Sequence, residues 1–96
     1  MASSTIKNTA IHQQIISIGG IAVTKKGAQW YYADYEITDQ LPSGARIIAV
    51  NRAGVWQEDI VVDGSTTNNK SGIHISCPFS QTIPSGRTVA VIYTFD

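Results

Sequence analysis

The chain has 96 residues, the size of one small domain, and its 7 Lys and Arg balance its 7 Asp and Glu to a formal net charge of zero. A neutral chain sets up no field to draw in polyanions, so neither nucleic acid nor an anionic membrane surface is expected as a partner. The single cysteine, Cys77, excludes an internal disulfide, which leaves a well-packed core or oligomerisation to stabilise so short a chain.

Charged residues make up 15% of the chain, so Ser, Thr, Asn and Gln carry most of its polarity. No apolar run approaches the roughly 18 residues that cross a bilayer, and no membrane insertion is expected. Residues 1–10 read as a flexible leader and 11–96 as one domain.

Apolar residues alternate with polar ones or form short β-branched runs between Gly, Pro, Asn and Asp, a pattern of strands rather than helices. Ile11 to Ile18 reads as a first strand, stopped by Gly19-Gly20, and Ile21 to Lys25 as a short second one. Gln29 to Ile37 is the third. Its period of two puts Tyr31, Ala33, Tyr35 and Ile37 on a core face and Trp30, Tyr32, Asp34 and Glu36 on the opposite face. Arg46 to Asn51 and Val55 to Val62 follow as an expected hairpin turning near Ala53-Gly54, and Asp63 to Ser71 reads as a long polar loop. Ile73 to Cys77 and Phe79 to Ile83 are short strands divided by Pro78, which cannot donate to a ladder. Thr88 to Phe95 closes the chain with Val89, Val91, Tyr93 and Phe95 on one face.

Leu41-Pro42-Ser43-Gly44 and Ile83-Pro84-Ser85-Gly86 resemble each other, and each leads into a long strand. Pro presets φ for a tight turn with Gly at its end, so the two segments read as similar corners. About eight short strands joined by such turns predict an all-β fold: a small antiparallel sandwich, jelly-roll-like or Greek-key, with a closed barrel as the alternative.

Little in the sequence points to bond-breaking chemistry. His74 and Cys77 stand three residues apart on one strand, hence on opposite faces, and do not form a dyad. Cys77 shares parity with Ile73 and Ile75 and reads as core, while His12 has no partner in the pattern. No metal-ligand spacing occurs, and neither a metal nor another cofactor is expected. Asp34 and Glu36 share a face as glycosidase carboxylates would, but so small a domain has little room for a cleft that desolvates an acid. Trp30 and Tyr32, beside those acids, form the side of an amphipathic surface suited to sugars or proteins. Trp56 is either a core ring or a second platform, and Asn68 and Asn69 add adaptable hydrogen-bonding groups.

Short uncharged strands rich in Ser, Thr and Asn, the paired Pro-Ser-Gly corners and the closing strand Thr88-Val89-Ala90-Val91-Ile92-Tyr93-Thr94-Phe95 resemble the tip domains of bacteriophage tail fibres and tailspikes. That resemblance implies a homotrimer on the virion or another extracellular surface that binds a glycan or protein of the host. It carries over no binding residues. The expectation drawn from the residues is a non-catalytic binding surface of Trp30, Tyr32, Trp56, Asn68 and Asn69, with a structural assembly domain as the alternative and a small glycan hydrolase as a third.

Overall fold

Isoleucine and valine at alternate positions fit the pleat of a half-buried strand, and the described residues of the chain form nine strands and no α-helix. In the computed structural model, which describes residues 10–26 and 30–95, these are β1 (His12–Ile18), β2 (Ile21–Ala22), β3 (Thr24–Lys26), β4 (Trp30–Glu36), β5 (Ala45–Ala53), β6 (Val61–Thr67), β7 (Lys70–Cys77), β8 (Thr82–Ile83) and β9 (Arg87–Phe95). A 3-10 turn, Thr38–Gln40, follows β4. The strands form a three-stranded sheet, order β1-β9-β5, a four-stranded sheet, order β3-β4-β7-β6, and a two-stranded link, β2-β8. All pairings are antiparallel.

The pairings are nested. His12 lies opposite Tyr93, Ile21 opposite Ile83, and Tyr31 opposite Cys77. Further along, the backbone N–H of Ile47 donates to Thr66 Oγ1 at 2.9 Å. The chain is therefore one long two-ply ribbon rolled up until β5 meets β9, the jelly-roll way of winding a sandwich. Between the sheets lie Ile16, Ile18, Ile37, Ile73, Ile75, Cys77, Ile83, Val89 and Val91, all buried. Each large aliphatic among them contributes about 1.5–3 kcal/mol over an exposed position.

The expected all-β sandwich is observed, and so is the split of β4 into two faces. Ala33 and Ile37 are buried with Tyr31 and Tyr35 packed against the core, while Trp30, Asp34 and Glu36 are exposed. Cys77 is fully buried beside Ile75, as its parity required. Three local expectations are corrected. The hairpin of Arg46 to Asn51 with Val55 to Val62 does not form a ladder: β5 is hydrogen-bonded to β9 and β6 to β7, and 54–60 is a crossing between sheets. The polar stretch Asp63 to Ser71 is not a loop but the core of a hairpin, β6 and β7, turned at Asn68 and Asn69. Both asparagines have positive φ, 53° and 63°, the two-residue turn whose twist matches that of the strands. The Pro-Ser-Gly corner is framed one residue later than expected: Ala45 N–H donates to Pro42 carbonyl at 3.1 Å, with Gly44 at φ 85° in the third position. Gly86 has the matching φ of 86°. Nearly all of the 1–10 leader lies outside the described residues, and Ala10 accepts a hydrogen bond from Thr94 Oγ1.

Candidate functional site

Strand alternation and register together decide which side chains share the outer face of the four-stranded sheet. On β4 these are Trp30, Tyr32, Asp34 and Glu36. Tyr32 lies opposite Thr24 on one side and Ser76 on the other. Asp34 lies opposite His74, which in turn lies opposite Asp63. Glu36 lies opposite Gly72, and Gly72 opposite Ser65. The face thus passes from an aromatic end to a carboxylate-lined middle, and a glycine at the centre of the Glu36–Gly72–Ser65 row leaves a dip in the sheet.

That dip is a shallow groove of about 300 Å³ lined by Asp34, Glu36, Asp63, Ser65, Lys70, Gly72 and His74 among others. His74 Nδ1 and Asp34 Oδ1 are 2.7 Å apart, and the imidazole is stacked against the Tyr32 ring at a centroid distance of 5.9 Å and an interplanar angle of 24°. Asp63 Oδ1 accepts from the N–H of Gly64 at 2.8 Å, which fixes its rotamer at the groove wall. Trp30 is 56% exposed, an unusual position for the largest apolar side chain. The combination can stack a flat apolar ring or sugar face and orient its polar groups through carboxylates, a hydroxyl and an ammonium.

Of the residues expected in a site, Trp30 and Tyr32 are brought together on this face. Asn68 and Asn69 sit at the tip of the β6–β7 hairpin, beyond Lys70, at the end of the sheet away from Trp30. With about 3.4 Å per residue over the length of β7, the two groups stand roughly 25 Å apart. Asn69 lines a different groove, about 430 Å³, with Thr38, Leu41, Pro42, Ser43, Arg46 and Thr66. Trp56 does not join the face. It packs against the core from the 54–60 crossing, and its Nε1–H is shared between the carbonyls of Ala53 (2.9 Å) and Thr88 (2.8 Å). Of the two expectations for Trp56, this packing is that of the core ring.

Asp63 and Ser65 were missed because 63–71 was read as a loop, and His74 because it was weighed only against Cys77. The signal was present: Asp63, Ser65 and Thr67 alternate with Val62, Gly64 and Thr66, and Asn68-Asn69 is a turn pair. Among the described residues no group of three or more His, Cys, Asp or Glu is placed to hold a metal ion, and no helix is long and apolar enough to cross a membrane. No protein-family model, no curated protein and no solved structure matches the chain.

Proposed function

We propose that the chain is a non-catalytic binding module that presents the outer face of its four-stranded sheet to a glycan or protein of a cell surface, in the manner of a phage tail-fibre tip. The observation that carries this reading is the exposed Trp30 beside Tyr32 on the same face as the groove of Asp34, Glu36, Asp63 and His74. An exposed indole offers a flat apolar face with a polar edge, which a sugar ring or a protein side chain can cover. Binding rather than hydrolysis fits the carboxylates: the Asp34 side chain is 69% exposed, whereas a general acid needs a desolvated site.

The test is a screen of the purified protein against an array of bacterial and animal glycans and against intact cells, followed by Trp30→Ala and Tyr32→Ala. Each substitution should leave the unfolding temperature nearly unchanged. Each should weaken binding by about 1–3 kcal/mol, roughly 5- to 150-fold. Undiminished binding by both stable variants removes this face from the site, and no binding to any array member or cell overturns the reading.

An assembly role is favoured by a different observation. Ile11, Ile15 and Ile48, on or beside the three-stranded sheet, are each more than half exposed. That surface lies on the other sheet and is compatible with the first reading.

A further inference from the structure

We propose that β1 is a docking strand for a second copy of this chain, paired antiparallel and edge to edge with the partner subunit's β1, so that two three-stranded sheets merge into one of six strands. This inference is independent of the binding face, which lies on the other sheet.

The argument begins with the sheet edges. A strand at an edge presents unpaired N–H and C=O groups, and natural proteins protect such edges with charge, brevity, proline, a bulge or a cover. Three of the long sheets' four edges carry such a device. β3 is protected by its brevity, three residues long. β5 carries Arg46 and Arg52 and is broken by a bulge at Ile48. β6 carries Asp63 and lies along β5, where Thr66 caps the N–H of Ile47. β1 has none. Its sequence His12-Gln13-Gln14-Ile15-Ile16-Ser17-Ile18 holds no lysine, arginine, carboxylate or proline, and it pairs with β9 through seven consecutive residues without a bulge. It is the terminal strand of its sheet. What satisfies such an edge is another extended strand.

The same strand selects its own copy as the occupant. An antiparallel pair of identical strands is two-fold symmetric and leaves no charge unpaired, since β1 offers none. A register that sets Gln13 or Ile15 opposite itself keeps outward residues outward, because side chains alternate with period two. Centred on Gln13, the pairing places Ile11 against the partner subunit's Ile15 and does so twice. Those two isoleucines are 63% and 53% exposed in the single chain and would cover each other as cross-strand neighbours. The inward row is already committed: Ile16 and Ile18 are buried, and Gln14 Nε2 donates to the carbonyl of Gln40 at 2.7 Å. Only the backbone edge and the outward row are free to be used.

The experiment is sedimentation and light scattering of the full chain from micromolar to several hundred micromolar, with Ile15→Lys as the variant and thermal unfolding as its fold control. The wild type should pass from monomer to dimer. Ile15→Lys, which places a charge at the outward edge without touching the core, should raise the midpoint concentration by on the order of tenfold or more with little change in unfolding temperature. In parallel, Gln13→Cys and Ile15→Cys are oxidised under native conditions, with exposed Val55→Cys and the wild type, whose thiol is buried, as controls. Residues opposite themselves across such a pair lie within disulfide reach, so one of the two β1 variants should cross-link ahead of Val55→Cys. A monomer throughout the range, a trimer that Ile15→Lys leaves intact, or cross-linking no faster than Val55→Cys at both β1 positions overturns the proposal.

Discussion

The indole of Trp56 donates its N–H to the carbonyl of Thr88 at 2.8 Å, joining the crossing between the two sheets to the start of β9, 32 residues away. The same N–H reaches Ala53, and Thr88 Oγ1 also donates to Ala53 carbonyl at 2.8 Å. Trp56 therefore closes the tip of the rolled ribbon. Replacing it with Ala should cost about 2–4 kcal/mol through lost packing and lost hydrogen bonds, and Trp56→Phe, which keeps much of the ring, about 1–2 kcal/mol. Denaturant unfolding of the two variants checks this. A Trp56→Ala chain as stable as the wild type would return the ring to the list of surface platforms.

Gly64 is required by space, not by backbone conformation. It faces inward from β6, and a Cβ there would overlap Cγ2 of Val50 on β5 and sit 3.0 Å from the carbonyl of Gly72. Gly64→Ala should destabilise the fold by about 1–3 kcal/mol as the sheets are forced apart. Adding Val50→Ala removes the overlapping methyls, so the double variant should be less destabilised than the sum of the single changes. Additive losses would show that β5 and β6 do not meet at this point.

Acid should loosen the same crossing. Arg87 Nε and Nη2 donate to Glu58 Oε1 and Oε2 at 2.7 and 2.9 Å, and Arg52 donates to the Glu58 carbonyl. The hydrogen bonds from Arg87, with the charge of its guanidinium, hold the Glu58 carboxyl below its ordinary value near 4.5, against the opposing effect of desolvation. A lowered folded-state pKa means that the unfolded chain takes up the proton first. The stabilisation is present above about pH 4.5 and is lost as the pH falls through the folded value. Unfolding temperatures followed from pH 7 to pH 3 should fall less steeply for Glu58→Gln than for the wild type, with the variant less stable at the neutral end. Parallel curves would mean that this pair contributes nothing.

Cys77 should be inert in the native protein. Its side chain is fully buried and its thiol lies 3.3 Å from the carbonyl of Phe79. A thiol reagent should label it only as fast as the chain opens, and labelling should accelerate in step with denaturant-induced unfolding. Labelling at the rate of a free thiol in buffer would contradict the packing of β7.

Local features are legible in the chain alone. Period-two alternation identifies strands at β1, β4, the second half of β7 and β9 and assigns their faces, so that Trp30 is placed outward and Cys77, Ile75 and Val91 inward without reference to any partner. Glycine and proline marked the two corners, although the hydrogen bond from Ala45 to Pro42 put the turn one residue further along. Which strand lies beside which is set by the fold as a whole. Val61 to Thr67 is a poor strand on propensity, with Asp63 and Gly64 at its centre, and it becomes one because β7 supplies its hydrogen bonds and Val50 requires a residue with no side chain there. The same pairing carries His74 and Asp63 to Asp34, which lies 40 residues from His74 in the chain. Trp56 shows the converse, since no pattern near it announces that its N–H will be used by Thr88. Alternation is set by the backbone of one strand, whereas neighbours are set by which ribbon edges meet when the chain rolls up, and that depends on every element at once.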